Sequence, residues 1–195
     1  FNTIYLDATS AMANFGTTGI YHWATTVATT ASLDMRNNII VNVSQNNGSS
    51  GRSVAFRRSG TPLSNFSEIS DNNLFYAGTP GTNNLIYHNG TNGYQSLEAY
   101  QAHVAPREAN SRTELPPFVN VSAKPYDLHI KTDVLTLAES GGQPITSPIA
   151  ITDDFDGDSR LNPPDMGADE FDGVSGFVAN PQSFSVAAIN SQQIQ

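Results

Sequence analysis

Acidic side chains concentrate near the end of the chain in a pattern that suits a hard cation. Residues 151–173 hold eight of the 18 carboxylic acids. Three aspartates alternate there and a fourth follows, as calcium-binding oxygen donors often do. The candidate calcium ligands are Asp154, Asp156, Asp158 and Asp165. Counted from the first of these, the loop has serine at position six and aspartate at position twelve, where an EF-hand needs glycine and glutamate. Calcium is therefore the one cofactor that the sequence suggests, and not through an EF-hand.

The same segment has a purely structural interpretation. Its single basic residue, Arg160, could form an ion pair with Asp158 or Asp165, while Gly157 and Gly167 permit tight turns. A stack of strands needs such a closing segment, because the end of the stack otherwise exposes its core and strand edges. The sequence alone does not decide between a structural cap and a calcium site.

A basic cluster stands out in this acidic chain, at Arg52, Arg57 and Arg58. Guanidinium groups bind anionic ligands, and aromatic rings nearby offer stacking platforms for sugars. The candidate ligand-binding residues are Arg57, Arg58, Tyr76 and Tyr87. The alternative is that the arginines form ion pairs with Glu68 or Asp71 on a neighbouring part of the fold.

The residue patterns of common catalytic sites are missing. The four histidines are His22, His88, His103 and His129, and none has a His-x-x-x-His spacing. There is no Gly-x-Ser-x-Gly motif, and acids are sparse between residues 1 and 100, so no carboxylate pair is predicted. The chain has no cysteine, which excludes disulfides and thiolate-bound metals. No catalytic residue is predicted.

The amino-acid composition limits the fold classes and the kinds of binding partner that the chain can have. The 195 residues carry a net charge of -9, which argues against nucleic acid as a partner. No apolar run is long enough to cross a bilayer, so we expect no direct membrane insertion. Asparagine, serine and threonine number 19, 20 and 17, and these side chains compete with helix formation. Strands and turns are therefore expected, on a surface typical of secreted proteins.

An internal repeat organises the first half of the chain. The same five-residue pattern, an asparagine turn followed by β-favouring residues, begins at Asn2, Asn37 and Asn72, with intervals of 35 residues. A second strand-like run follows each copy. Such spacing predicts strands that coil into a parallel β-solenoid with asparagines stacked at the corners. A β-sandwich with a coincidental spacing is the alternative, and a short helix is predicted near 97–104 with Ser96 as its cap.

Several segments resemble right-handed parallel β-helix surface proteins that bacteria export by type IX secretion. The resemblance rests on residues 14–22, 33–42, 72–81, 127–130, 139–142, 154–160 and 164–171. It implies an all-β, right-handed parallel β-helix over residues 1–173, with one short helix and a C-terminal acidic cap. It also implies an extracellular or bacterial cell-surface location. Most members of the group have no assigned activity.

The last residues resemble the start of another module. Residues 174–182 are expected to form a linker, and residues 183–195 are similar to the first strand of a fibronectin type III module. We therefore expect the chain to be a fragment of a longer polypeptide. The alternative is that residues 183–195 add to the sheet edge of another subunit, which would allow self-assembly.

Three functions follow from these observations. The favoured one is a non-catalytic structural or adhesive module of a secreted cell-surface protein, whose partner is a polysaccharide or another surface protein. The second is a polysaccharide lyase or hydrolase of the β-helix class. The third is a subunit of an extracellular filament joined through the C-terminal strand.

Overall fold

Short strands separated by long loops make up most of the regular structure. The computed structural model describes residues 1–176, so the residues assigned to a fibronectin-like strand lie outside the described part. The strands are β1 (Thr3–Leu6), β2 (Thr17–His22), β3 (Ile39–Asn42), β4 (Ser53–Arg58), β5 (Leu74–Tyr76), β6 (Asn84–His88), β7 (Gly93–Tyr94), β8 (Phe118–Asn120), β9 (Asp127–Ile130), β10 (Leu135–Thr136) and β11 (Val174–Ser175). Helix α1 spans Leu97–Val104, and its Ser96 cap accepts a hydrogen bond from the backbone of the first turn, as predicted.

Two parallel ladders run through the repeat region. Strands β1, β3 and β5 pair in parallel, with Thr3 beside Ile39 and Ile39 beside Leu74. Strands β2, β4 and β6 form the second ladder, which β7 extends with antiparallel pairing. Each winding therefore adds one strand to each ladder. This arrangement confirms the predicted all-β solenoid with one short helix and rules out the sandwich.

Asparagine side chains connect successive windings. The predicted interval of 35 residues holds between Asn38 and Asn73, but the first winding is one residue longer, so Asn2 lies beside Asn38 and not beside Asn37. Asn2 Nδ2 donates to Asn38 Oδ1 at 2.8 Å, and Asn38 Nδ2 donates to Asn73 Oδ1 at 2.7 Å. Asn73 Nδ2 then donates to Glu108 Oε2 at 2.9 Å, which ends the asparagine ladder on a carboxylate. Asn37 and Asn72, which directly precede Asn38 and Asn73, turn the corner with a positive φ, a conformation that asparagine tolerates well.

The first ladder is buried on both of its faces. In β3, Ile40 packs into the solenoid core with Phe56 and Phe75. Its neighbours Ile39 and Val41 belong to a second apolar cluster on the opposite side, because side chains alternate along a strand. That second cluster also contains Met166 and Phe171 from the acidic segment.

The acidic segment therefore lies against the side of the repeat region. The amide of Gly167 donates to the Asn37 carbonyl at 2.9 Å, and the Ala168 amide donates to Thr3 Oγ1 at 2.9 Å. Gly167 has a φ of 98°, and a Cβ at this position would lie 2.7 Å from the Ile39 side chain. The segment thus approaches β3 as closely as glycine permits.

The ion pair predicted inside the acidic segment has a different partner. Arg160 Nη1 lies 3.2 Å from Glu170 Oε2, and the guanidinium also donates to three backbone carbonyls between residues 167 and 169. The predicted pairs of Arg160 with Asp158 or Asp165 are wrong. Asp158 is exposed at the tip of the loop, while Asp165 is buried and accepts backbone hydrogen bonds.

Candidate functional site

Two of the four predicted ligand-binding residues lie inside the protein. Arg58 and Tyr87 are completely buried, so neither side chain is open to a ligand at the protein surface. Arg58 Nε donates to His22 Nδ1 at 3.1 Å, and Nη2 donates to Asn65 Oδ1 at 2.6 Å. A third bond goes to the Pro62 carbonyl. The guanidinium occupies the interior because neutral acceptors satisfy its donors.

His22 completes this interior arrangement. Because its Nδ1 accepts from Arg58, its Nε2 carries the proton and donates to the Ala31 carbonyl at 2.6 Å. Burial lowers the pKa of His22, aided by the charge of Arg58, although the bond to Ala31 opposes the shift. His22 is therefore neutral at pH 7 and serves as a hydrogen-bond link between windings.

The acids proposed as partners of the arginines bond elsewhere. Glu68 lies 3.8 Å from Arg107, and Asp71 accepts from the amide and side chain of Asn110. The alternative interpretation of the basic cluster as ion pairs with these acids is thus wrong. Tyr76 is half-buried on β5 against the second apolar cluster, in the other ladder from Arg57. The four predicted residues do not share one site.

Arg57 instead belongs to a lateral row on the second ladder, which is exposed at Tyr21 but buried at His88, where the side chain is 3% exposed. Tyr21, Arg57 and His88 are lateral neighbours on β2, β4 and β6, and Arg52 Nη1 lies 3.4 Å from His88 Nε2. We call Tyr21, Arg52, Arg57 and His88 the basic row. Tyr21 is 56% exposed, Arg52 is exposed and Arg57 is half-buried.

The basic row carries positive charge that no acid neutralises. Within residues 1–176, neither Arg52 nor Arg57 belongs to an ion pair. Burial lowers the pKa of His88, and both arginines lower it further, so His88 is neutral at pH 7. Two guanidinium groups beside an exposed ring can bind an anion and stack against an apolar ligand face.

The predicted calcium ligands do not converge. The Asp154 carboxylate faces its own loop and accepts hydrogen bonds from the backbone amides of Asp156, Asp158 and Glu170 at 2.8 to 2.9 Å. Those bonds make Asp154 a loop-ordering residue. Within residues 1–176, the four predicted aspartates do not form a group with mutually close oxygens.

Asp165 has a structural role on the buried side of the segment. It accepts from the Ser140 amide at 2.6 Å and from the Phe171 amide at 2.8 Å. Burial raises its pKa to about 7, although these two bonds favour the ionised form. A carboxylate already bonded to two backbone amides in the interior is not available to an exposed calcium site.

One of the predicted aspartates joins a different group. Asp156 Oδ2 lies 2.8 Å from His129 Nε2, while Asp127 Oδ1 lies 2.5 Å from His129 Nδ1. The hydrogen bonds that the ring of His129 donates to Asp127 and then to Asp156 raise the pKa of His129 to about 9. Ligand atoms of His129, Asp156 and Asp169 all lie within 4.8 Å of one another, the one such group of three in the described part of the chain.

Sequence reasoning missed this group because no spacing rule connects its members. His129 lies on β9, and 27 residues separate it from Asp156. The one local signal is the Asp-x-His triplet at 127–129, which places a carboxylate and an imidazole on the same side of a strand. The group borders a cavity of about 230 Å³ whose wall includes Phe155, which is 80% exposed.

The fold places this chain among parallel β-solenoid proteins. No protein-family model matches its sequence, and no curated protein or solved structure is significantly similar to it. No helix within residues 1–176 is both long enough and apolar enough to cross a membrane.

Proposed function

We propose that this chain is a non-catalytic structural and adhesive module of a secreted cell-surface protein. The asparagine ladder and the doubly covered first ladder support a stiff scaffold, because they bury polar and apolar contacts between every pair of windings. A stiff scaffold suits a protein that presents a binding surface away from a cell. The small-polar composition suits the same extracellular setting.

The basic row supplies the binding surface in this proposal, and acidic polysaccharide is the ligand class. The observation that carries it is Arg57, a guanidinium on a ladder surface that has no acidic partner within residues 1–176, in a chain of net charge -9. Arg57 and Arg52 would bind carboxylate or sulfate groups, and the exposed ring of Tyr21 would stack on a sugar face. The parallel ladder aligns Tyr21, Arg57 and His88 across three neighbouring strands, an arrangement that suits an extended polymer better than a compact ligand.

The experiment compares binding of acidic and neutral polysaccharides to wild type and to two charge-matched variants. Arg57→Ala should weaken binding of the acidic polymers about 10-fold or more, the effect of losing one charged hydrogen bond. Lys131→Ala removes an exposed cation outside the basic row and should leave the affinity unchanged. Equal affinities of all three proteins, or equal binding of neutral polymers, would contradict the proposal.

The same samples distinguish the two competing functions. Release of unsaturated or reducing ends from the polysaccharides would indicate a lyase or hydrolase. Polymers in electron micrographs of the protein alone would indicate a filament subunit. For an adhesive module, we expect that the polysaccharides gain no new chain ends and that the protein forms no filaments.

A further inference from the structure

We propose that His129, Asp156 and Asp169 form a binding site for a divalent transition-metal ion of the Zn²⁺ class. The three residues offer one imidazole nitrogen and two carboxylate oxygens, all within 4.8 Å of one another. Donors bound to one tetrahedral Zn²⁺ at about 2.1 Å lie about 3.4 Å apart. Side-chain movements of about 1 to 1.5 Å would therefore bring the three atoms onto a single ion.

The imidazole is oriented for this role from outside the donor set. Asp127 Oδ1 lies 2.5 Å from Nδ1 of His129, whereas Asp156 contacts the other ring nitrogen, Nε2. A carboxylate bonded to the non-ligating nitrogen is the usual support of a metal-bound histidine, because it fixes both the tautomer and the ring orientation. The Nε2 atom then points toward Asp156, and a bound ion would replace its proton.

Charge around the imidazole also favours a cation. Asp127 and Asp156 contact the ring, and Asp169 is half-buried close by. Several carboxylates thus surround one imidazole, and no lysine or arginine within residues 1–176 forms an ion pair with Asp156 or Asp169. A divalent ion would neutralise this excess of negative charge where one protonated histidine does not.

The donor set selects the class of metal. Calcium takes six to eight oxygen ligands, whereas an imidazole nitrogen favours zinc, cobalt or nickel. Three protein donors fill three positions of a tetrahedral ion, and the fourth would be open to water from the adjoining cavity. This ligand set differs from the calcium set predicted from the alternating aspartates and shares only Asp156 with it.

The position of the site gives the metal a structural consequence. His129 lies on β9, whereas Asp156 and Asp169 lie in the acidic segment that covers the first ladder. An ion held by both would cross-link the β8–β9 hairpin to that segment. Because the three donors come together only in the folded chain, metal binding would raise the thermal stability.

The test uses the full 195-residue chain after treatment with a chelator. We expect one equivalent of Zn²⁺ by calorimetry, and one equivalent of Co²⁺ with visible absorption bands of a low-coordinate site. Zinc at about 100 times its Kd should raise Tm by about 5 to 10 °C. His129→Ala and Asp169→Asn should each weaken Zn²⁺ at least about 10-fold and abolish the cobalt bands.

Asp158→Asn is the matched control, because it removes an exposed carboxylate of the same loop that is outside the donor group. It should bind Zn²⁺ as the wild type does. Circular dichroism in chelator shows whether each variant is folded, and Asp169→Asn keeps the oxygen that accepts from the Ile130 amide. Absence of stoichiometric Zn²⁺ and Co²⁺ binding, unchanged affinity in folded His129→Ala, or a site that binds Ca²⁺ but not Zn²⁺ would overturn the proposal.

Discussion

Replacing Asn73 by alanine would test how much the asparagine ladder contributes to the solenoid. The buried Asn73 amide takes part in four hydrogen bonds. Its oxygen accepts from the backbone and side-chain amides of Asn38 at 3.0 and 2.7 Å. Its nitrogen donates to the Met35 carbonyl at 2.8 Å and to Glu108 at 2.9 Å. Alanine removes all four bonds between three successive windings.

The expected loss of unfolding free energy depends on which hydrogen bonds the partners of Asn73 keep in the variant. The Asn38 side chain still donates to Arg36, the Met35 carbonyl still accepts from Asp71, and the Glu108 carboxylate still accepts from a serine hydroxyl. Only the backbone amide of Asn38 loses its sole hydrogen bond. At about 1 kcal/mol for each lost bond, Asn73→Ala should lower the free energy of unfolding by about 4 kcal/mol. For a chain of this length, that loss corresponds to a fall in Tm of about 8 to 16 °C.

Urea unfolding followed by circular dichroism measures this free energy, and two further variants serve as comparisons. Asn2→Ala removes a single ladder bond at the exposed end and should cost about 1 kcal/mol. Asn73→Asp keeps the two accepted bonds but loses the two donated ones, and it places a second acid against Glu108. A cost for Asn73→Ala no larger than that for Asn2→Ala would refute the idea that the ladder stabilises the windings.

Three other changes have defined outcomes. Burial raises the pKa of Glu108 to about 7 from 4.5, so the folded state binds more protons and stability should fall by about 3 kcal/mol as pH rises through that interval. Glu108→Gln should remove this part of the slope in urea melts at pH 4 to 8. Arg58→Lys should cost about 2 to 3 kcal/mol in the same assay, because an ammonium cannot bond both His22 and Asn65 in the guanidinium geometry. Gly167→Ala requires strained backbone and a methyl 2.7 Å from a buried isoleucine, so limited proteolysis should cut the acidic segment faster.

The repeat region could be predicted because its determinants recur along the chain. The interval of 35 residues places Ile39 beside Leu74, and the asparagine pairs supply both the corner conformation and the ladder amide. The first winding is one residue longer, because Thr3 lies beside Ile39. The continuous apolar run 39–41 also signals a strand buried on both faces. What covers the outer face could not be predicted, since the acidic segment docks there through single contacts without any repeat.

The candidate sites show the same division between repeating and non-repeating structure. Arg57 and Arg58 are adjacent in sequence, and strand alternation sends one to the surface and the other into the interior. Which of the two arginines faces solvent depends on the register of β4, and the sequence of the basic cluster does not indicate that register. His129 and Asp156 meet only because a non-repeating hairpin packs against a non-repeating loop. The solenoid thus positions the basic row through a periodic rule, whereas the proposed metal site depends on tertiary contacts that have no counterpart in sequence spacing.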